Sequence, residues 1–208
     1  MRFSVIIPAH NSEKFISKAL DSIKNQSFQN FELIVVCDRC TDNTKAIAES
    51  YGAKTIEVDY GRDGLTRNAG LDVAQGEYVL FLDHDDRFLH EFVFEEIDRK
   101  LKQTGNPDLL CCSFIWKNIM YARPKAKNGD YYPSVWNKAW KRSYINDTRF
   151  TDVYSISDYY FHLAMMKKPH TTVEWDFPIV YYEYLFEGSI SLVSGRTIKG
   201  TKQAWRID

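Results

Sequence analysis

The chain has 208 residues, of which 44% are hydrophobic, enough for one substantial core and one domain. Lysine and arginine number 27 against 28 aspartate and glutamate residues, so the net charge of -1 creates no overall field that favours nucleic acid or an anionic membrane. No apolar run approaches the roughly 20 residues of a membrane-spanning helix, and residues 1–11 lack the features of a signal peptide, so we expect a cytoplasmic protein with at most peripheral contact at the inner face of the membrane.

The first half of the chain alternates short apolar runs with amphipathic stretches, which is typical of successive βα units and a largely parallel sheet. The apolar runs predict strands over residues 3–8, 31–37, 54–58, 77–82 and 109–115. The helical spacing of apolar residues predicts helices over residues 15–23, 42–51, 64–75 and 90–102.

The second half is less regular. After Trp116 the sequence is rich in lysine, tyrosine, asparagine, glycine and proline, which predicts a loop or flap over a site. Regular structure is predicted again for a helix over residues 158–166 and for strands over residues 171–175 and 179–184. The pattern as a whole indicates the α/β class.

Polar residues follow three of the predicted strands. In a parallel α/β sheet, ligands bind outside the carboxyl ends of the strands. The first strand leads into Pro8, Ala9, His10 and Asn11, the second into residues 38–42, and the fourth into residues 83–86. We therefore expect these groups to meet at one edge of the sheet.

The segment after the fourth strand carries three carboxylates within four positions, Asp83, Asp85 and Asp86. They repel one another, and a hard divalent cation would neutralise them. Asp83 and Asp85 can project in similar directions from an extended segment, whereas His84 turns away. One or two carboxylates leave positions open for phosphate oxygens, which suits a nucleotide diphosphate. A solvated acidic turn explains these residues equally well.

Five segments in order, VIIPAHN, FELIVVCDRCTDNT, GLTRNAGLDVAQGEYVLFLDHDD, VWNKAWKRS and ISDYYF, resemble the motifs of family 2 glycosyltransferases with the GT-A fold. The resemblance implies a single domain over residues 1–208 with a Rossmann-like, mostly parallel sheet flanked by helices. Residues 1–115 would form the nucleotide-sugar-binding half, and residues 116–208 a small acceptor-side half. The implied reaction is the inverting transfer of a sugar from a nucleotide-diphosphate donor to a hydroxyl group in polysaccharide assembly, with Mn²⁺ or Mg²⁺ as cofactor.

The resemblance also assigns residues to the donor site. Asp85 and Asp83, with His84 between them, match the D-x-D element that binds the cation and the donor's ribose or diphosphate. Arg67 lies in a segment similar to one at the start of a family helix, where a helix N terminus beside an arginine suits an anion; a surface ion pair is the alternative. Some relatives supply a late histidine as a further metal ligand, for which His170 is the candidate; an exposed loop histidine is the alternative. The residues that match the lining of the nucleotide pocket are Pro8, Ala9, His10 and Asn11.

Asp38 matches the second aspartate of the family's D-D-G-S turn, whose carboxylate accepts the imino hydrogen of uracil in related enzymes. The turn departs from that pattern, because Cys37 replaces the first aspartate, Arg39 the glycine and Cys40 the serine. A UDP-sugar is therefore the first choice of donor, and guanosine or thymidine donors stay open.

Asp158 matches the family's catalytic base at the start of a late helix, with Ser157 in place of the usual glutamate. An acceptor hydroxyl has a high pKa and must lose its proton as it attacks the anomeric carbon, so the reaction needs a base. Capping of the helix is the alternative role for Asp158. Trp136, Asn137 and Lys138 resemble an acceptor-side W-N-K element; the alternative places Trp136 in the core and Lys138 in solvent.

Other function classes stay open beside this one. A nucleotidyltransferase also uses paired aspartates, but PAHNSEKF lacks the glycine-rich phosphate loop expected there. The altered 37–40 turn and Ser157 fit an inactive nucleotide-sugar-binding relative. A glycosyltransferase acting on DNA or protein is the third option, because residues 117–149 carry a basic excess; a glycan or lipid-linked glycan remains the expected acceptor. The basic residues are Lys117, Arg123, Lys125, Lys127, Lys138, Lys141, Arg142 and Arg149.

Overall fold

The computed structural model describes residues 1–116, 120–125, 129–154 and 156–183. The predicted end of the last strand at residue 184, and the remainder of the predicted 1–208 domain, lie outside the described residues. The elements in chain order are β1 (Phe3–Ala9), α1 (Ile16–Lys24), β2 (Phe31–Asp38), α2 (Thr44–Ser50), β3 (Lys54–Val58), α3 (Asp63–Val73), β4 (Tyr78–Phe81), β5 (Arg87–Phe88), α4 (Val93–Gln103), β6 (Leu109–Trp116), β7 (Met120–Ala122), β8 (Lys138–Lys141), α5 (Arg142–Ile145), α6 (Ser157–Met166) and β9 (Thr172–Tyr182).

The strands of the described residues form one sheet in the order β3-β2-β1-β4-β8-β6-β9-β5, with β7 paired to β6. β1 to β4 run parallel to one another, and β6 and β9 point the same way. β8, β5 and β7 run in the opposite direction. The sheet is therefore mostly parallel, and the predicted α/β class is confirmed.

Helices cover both faces of the sheet. In β1, Val5 and Ile7 pack on the face covered by α1, α2 and α4, whereas Ile6 packs on the face covered by α3, α5 and α6. This alternation follows from the two-residue period of a strand, and burial on both faces explains why β1 reads as a continuous apolar run. None of the described helices has the length and apolar character needed to cross a membrane.

The region after Trp116 differs from the prediction. A loop or flap was expected, but residues 138–141 form β8, which lies between β4 and β6 and pairs Ala139 with Leu80 and Leu110. The two predicted late strands are one strand, β9, whose register against β6 shifts around Ser113. Ser113 is paired there with Pro178, which has no N–H to donate to the ladder.

Two glycines allow α3 to lie close to its neighbours. A Cβ on Gly70 would lie 2.5 Å from Cγ2 of Ile6 in β1. A Cβ on Gly64 would lie 2.9 Å from Cβ of Ser157 and 3.0 Å from Cβ of Phe150. The first turn of α3 therefore lies against the first turn of α6, near the carboxyl edge of the sheet.

Candidate active site

The carboxyl ends of β2, β1 and β4 are adjacent, because these strands are neighbours in that order. Nδ1 of His10, just after β1, lies 2.6 Å from the carbonyl oxygen of Asp38 at the end of β2. A carbonyl only accepts, so Nδ1 carries the hydrogen. Asn11 has a left-handed φ of 45°, and its Oδ1 accepts the N–H of Thr41 at 2.8 Å. These contacts make one rim from the loops that follow β1 and β2.

Residues 8–11 contribute to this rim in two ways. Pro8 and Ala9 belong to β1 and are buried, whereas His10 and Asn11 follow the strand and are exposed. Only the latter two present side chains at the edge where the sequence predicts a nucleotide.

Asp38 is buried at the end of β2. Its Oδ1 accepts the N–H groups of Tyr60 at 2.9 Å and Gly61 at 3.0 Å. Its Oδ2 accepts the Arg62 N–H at 3.2 Å and the Thr66 hydroxyl at 2.8 Å. Burial alone would raise the pKa of Asp38, but these hydrogen bonds outweigh it and lower the pKa below its ordinary value. The carboxylate has about four acceptor positions, so the contact predicted with uracil would have to replace one of these bonds.

Arg67 is a buried side chain that joins carboxylates from three parts of the chain. Its Nη1 donates to Asp63 Oδ2 at 2.7 Å and lies 3.4 Å from Asp158 Oδ1. Its Nη2 donates to Asp83 Oδ1 at 2.7 Å. Burial alone would lower the pKa of Arg67, but the three carboxylates raise it above its ordinary value, so the guanidinium stays charged. Arg67 thereby connects the end of β4 to the start of α6.

This bridge changes the interpretation of Arg67. The sequence predicts that Arg67 binds an anion of the donor, yet both terminal nitrogens already face carboxylates. Nε is buried and has no partner among the described residues. The alternative of an ion pair agrees with these contacts, except that the pair is buried rather than on the surface.

Asp158 lies in the first turn of α6, where the helix N terminus favours negative charge. Its side chain is 23% exposed, and Oδ2 accepts the N–H of Val135 at 3.3 Å. Burial raises the pKa of Asp158 to about 6, even though Arg67 opposes the shift. Such a carboxylate is largely ionised near neutral pH and holds a proton better than an ordinary aspartate, as a general base requires.

The turn after β4 places its carboxylates in different environments. Asp83 accepts from Arg67, whereas Asp85 joins none of the ion pairs found in the described residues. Burial raises the pKa of Asp85, and the charge of Asp83 adds to the shift while His84 opposes it. Asp86 is fully buried, and its Oδ1 accepts the Glu183 N–H at 2.9 Å. Burial, with the two neighbouring carboxylates, raises the pKa of Asp86 well above its ordinary value.

A hard cation fits best at Asp85. A half-buried carboxylate with a raised pKa and a neighbour of like charge, Asp83, gains from a positive partner. The described part of the chain contains no group of three or more histidine, cysteine or acidic side chains arranged to hold a metal ion. A cation at Asp85 would therefore use one or two carboxylates and take its other ligands from phosphate oxygens and water, as Mg²⁺ commonly does.

His170 does not belong to this site. Its Nδ1 lies 2.6 Å from the Lys168 carbonyl oxygen, and its ring stacks on Tyr144 with centroids 5.3 Å apart. Tyr144 is in α5, which follows the end of β8, and that end pairs with Tyr78 at the start of β4. His170 is therefore at the edge of the sheet opposite to Asp85.

Trp136, Asn137 and Lys138 are all buried. The ring of Trp136 packs edge-on against Phe114 at 4.8 Å and stacks on Tyr182 at 4.9 Å between centroids. The alternative that places Trp136 in the core is confirmed, and the alternative that places Lys138 in solvent is wrong. Their neighbour Val135 donates to Asp158, so this segment reaches the site through its backbone.

Asp63 is a member of the site that the motifs do not mark. It begins α3, pairs with Arg67, and its Oδ2 accepts the hydroxyl of Ser157 at 2.7 Å. Its Oδ1 is buried without a partner among the described residues. The spacing of four residues between Asp63 and Arg67, which places them on one helix face, is the sequence signal that identifies the pair.

A mostly parallel sheet with a D-x-D turn at its carboxyl edge, and a buried carboxylate at the start of a late helix beside it, is the arrangement of the GT-A class of glycosyltransferases. The model of the family Glycosyl transferase family 2 matches residues 4–171. The chain belongs to this family, and the resemblance seen in its motifs is confirmed.

Similar proteins share this fold. Poly(ribitol-phosphate) beta-N-acetylglucosaminyltransferase TarS from Staphylococcus aureus is 45% identical over 94 residues, which cover 41% of this chain and 16% of TarS. A crystal structure of S. aureus TarS 1–349 in complex with UDP-GlcNAc has a TM-score of 0.80 at 27% identity, covering 92% of this chain and 61% of that chain. Glucosyl-3-phosphoglycerate synthase from Mycobacterium tuberculosis, solved with Mn²⁺, UDP-glucose and phosphoglyceric acid, has a TM-score of 0.68 at 17% identity, covering 97% and 79%. The matched segment thus spans about a sixth of the curated TarS relative.

Proposed function

We propose that this chain is an inverting glycosyltransferase that moves a sugar from a uridine diphosphate donor to a hydroxyl group of a glycan or lipid-linked glycan. The observation that carries the proposal is the buried Arg67 bridge, which holds the donor-side carboxylate Asp83 and the candidate base Asp158 on one guanidinium. A reaction that binds a diphosphate and deprotonates an acceptor needs these two functions side by side. The similarity to TarS, whose structure was solved with UDP-GlcNAc, supports a donor whose nucleobase is uracil.

In this proposal the nucleotide lies along the rim formed by His10 and Asn11, and its diphosphate points toward the turn that contains His84 and Asp85. The rim is supported by the contact between the His10 ring and the carbonyl of Asp38. The carboxylate of Asp38 has the separate task of holding residues 60–62 beside the rim. Asp38 therefore shapes the pocket for the nucleobase indirectly, by fixing the backbone of residues 60–62.

Asp158 is the proposed base. As the acceptor oxygen attacks the anomeric carbon, its proton passes to the Asp158 carboxylate. The bond between the anomeric carbon and the diphosphate breaks on the opposite face, so the configuration at that carbon inverts. Arg67 favours the ionised form of Asp158 by lowering its pKa, and it holds Asp158 and Asp83 on one guanidinium before the reaction. Asp85, with Asp83 beside it, would hold Mn²⁺ or Mg²⁺, and the ion would supply positive charge to stabilise the departing diphosphate.

The donor side and the acceptor side lie in different parts of the chain in this proposal, as predicted from the sequence. Residues 1–115 hold the donor-side groups, and the acceptor side begins after residue 116 with the segment that contacts Asp158. The cytoplasmic location and the peripheral contact with a membrane stay predictions.

The basic excess of residues 117–149 gives no support to a nucleic-acid acceptor. Lys125 pairs with Glu174 at 2.6 Å, and Arg149 pairs with Asp72 at 2.8 Å. Lys138 is fully buried. Lys117 and Lys127 lie outside the described residues. Two of these charges are therefore paired with carboxylates and a third is withdrawn from the surface, whereas a duplex would need a continuous basic surface.

A donor screen tests the proposal. The purified chain is incubated with Mn²⁺ and one of UDP-GlcNAc, UDP-glucose, GDP-mannose or dTDP-glucose, with water as acceptor, and the released nucleoside diphosphate is measured. We expect release of UDP by the wild type and by Asp147→Asn, a control in an exposed loop, and little release by Asp158→Asn. Release of GDP or dTDP alone rejects the uridine donor. UDP binding without release from any donor supports an inactive relative instead.

A further inference from the structure

Residues 132–138 form a loop that is closed by the ammonium group of Lys138. Its Nζ donates to the carbonyl oxygens of Tyr132 and Ser134, each at 2.6 Å, and to Oδ1 of Asn137 at 2.9 Å. These bonds use all three hydrogens of the ammonium. Burial lowers the pKa of Lys138 to about 8, so the group is still largely charged at neutral pH. The ammonium group of Lys138 therefore binds only acceptors of its own loop among the described residues.

The loop is fixed to the sheet. Lys138 begins β8 and pairs with Cys111 of β6. The side-chain amide of Asn137 donates to the Cys112 carbonyl at 3.0 Å, and the Cys112 N–H donates to the Asn137 carbonyl at 2.9 Å. Oδ1 of Asn137 also accepts the Ser134 hydroxyl at 3.0 Å. The position of the loop is thus set by two central strands.

Val135 connects this loop to the candidate base. Its carbonyl oxygen accepts the indole N–H of Trp140 at 3.1 Å, and its own N–H donates to Oδ2 of Asp158 at 3.3 Å. Oδ1 of Asp158 lies 3.4 Å from Arg67 Nη1. The two carboxylate oxygens of Asp158 therefore contact two different parts of the fold, the Val135 N–H and the Arg67 guanidinium. The contact with Val135 depends on the 132–138 loop.

We infer that Lys138 is a positioning residue for the transfer reaction: it closes the 132–138 loop so that the Val135 N–H fixes the orientation of the Asp158 carboxylate. Lys138 acts through Asp158 and touches neither donor nor acceptor. The inference rests on the proposed function, in which Asp158 is the base. A displacement of about 1 Å in a reacting group costs on the order of 10²-fold in rate, so a loosened loop has a measurable effect.

Two variants open the loop in different ways. Lys138→Met keeps the length of the side chain and removes its charge and donors. Trp140→Phe keeps an aromatic ring and removes the indole N–H that holds the Val135 carbonyl. Lys141→Met is the matched control, because Lys141 lies on the same strand and donates to the Asn106 carbonyl at 3.0 Å, at the opposite edge of the sheet.

For each variant, UDP release from the most active UDP-sugar of the donor screen is measured with Mn²⁺, together with UDP affinity and thermal midpoint. We expect Lys138→Met to lower kcat by about 10- to 100-fold. Trp140→Phe should lower kcat by about three- to tenfold, the equivalent of one hydrogen bond. UDP affinity should be unchanged in both, and Lys141→Met should keep the wild-type kcat.

A double-mutant cycle separates positioning from a general role in stability. If Lys138 acts through Asp158, Lys138→Met should cause no further loss of kcat in an Asp158→Asn background. An equal loss in both backgrounds, or a lowered thermal midpoint with normal kcat per folded molecule, overturns the inference. If Lys138→Met does not fold, the same comparisons with Trp140→Phe decide. Wild-type kcat in Asp158→Asn alone means that the proposed base itself is wrong.

Discussion

Replacement of Arg67 by methionine removes the cation on which the site is built while keeping an apolar stem of similar length. In the wild type, one buried guanidinium faces Asp63, Asp83 and Asp158. Without it, three carboxylates face one another with no positive partner. Removal of one member of a buried ion pair costs about 3–5 kcal/mol. We expect Arg67→Met to lower the free energy of unfolding by this amount, a large share of the roughly 5–15 kcal/mol that stabilises a domain.

The loss should depend on pH. Burial already raises the pKa of Asp158 above its unfolded value, and without the guanidinium, which opposes that shift, the pKa in the folded variant rises further. Protonation of Asp158 then removes one of the facing charges, so the variant is least stable above this raised pKa and recovers as the pH falls. We therefore expect the difference in unfolding free energy between wild type and Arg67→Met to shrink between about pH 7.5 and about pH 5.

Urea unfolding followed by tryptophan fluorescence at both pH values measures these quantities. Arg99→Met is the control, because Arg99 pairs only with its helix neighbour Glu96 in the described residues and is half exposed, so its loss should stay below about 1 kcal/mol. Addition of Asp63→Asn to Arg67→Met should restore part of the stability by removing one of the facing charges. A loss below about 1 kcal/mol for Arg67→Met, or the same loss at both pH values, refutes the bridge as the organising contact.

Three further changes test the roles of individual carboxylates. Asp158→Asn keeps the shape of the side chain but not its basicity, so UDP release should fall by about 10²- to 10⁴-fold with unchanged UDP affinity. Wild-type turnover should also fall as the pH is lowered through about 6, because the base works only when ionised. Asp85→Asn should remove most turnover without loss of thermal stability, and excess chelator should do the same to the wild type; full turnover in either measurement contradicts a cation at Asp85. Asp38→Ala leaves three backbone N–H donors without an acceptor, whereas the Thr66 hydroxyl keeps the Arg62 carbonyl oxygen. It should therefore lower the unfolding free energy by about 1–3 kcal/mol and weaken UDP binding in calorimetry. Unchanged stability of Asp38→Ala would remove the support for its role beneath the rim.

Residues 1–115 are predictable from local patterns, most clearly where a central strand such as β1 is buried on both faces. β1 is predicted over residues 3–8 and found as Phe3–Ala9, and β3 is found with its predicted bounds, Lys54–Val58. α1 is predicted from the spacing of Ile16, Leu20 and Ile23, all of which are buried in the core. In these elements the local pattern and the tertiary environment favour the same structure.

β8 is not predictable in this way. Its four residues, Lys138–Lys141, have lysine at both ends and two apolar side chains between them. A lysine at the start of a strand suggests that the strand is exposed. Burial of that ammonium is acceptable because the backbone carbonyls of residues 132 and 134 and Oδ1 of Asn137 accept its hydrogen bonds. Those partners exist because the loop folds back, which no periodicity in the sequence encodes.

The hydrogen bonds of Asp38 within the chain are not predictable from the sequence for a related reason, and its contact with uracil stays a prediction. The sequence shows a carboxylate at the end of a strand, and the family pattern points it at uracil. The donors that occupy it come from residues 60–66, more than 20 positions away. Whether the Asp38 carboxylate accepts hydrogen bonds from the chain depends on how the loop after β3 returns to the sheet, and that path is set by the tertiary structure.

The charges of the described site imply that donor and cation bind together. Asp63, Asp83 and Asp158 face the buried guanidinium of Arg67. Asp85 follows Asp83 in the same turn, and burial and the charge of Asp83 raise its pKa. A nucleotide diphosphate brings further negative charge to this turn. A cation at Asp85 reduces the repulsion between the turn and the diphosphate, and by reciprocity the diphosphate strengthens the binding of the cation. Calorimetry should therefore find UDP affinity at least about tenfold higher with Mn²⁺ than without it, within the usual range of such coupling. Asp85→Asn should lose this coupling while keeping the metal-independent affinity, because the rim at His10 and Asn11 is unchanged; equal affinity for UDP with and without Mn²⁺ in the wild type would mean that the diphosphate does not approach the acidic turn.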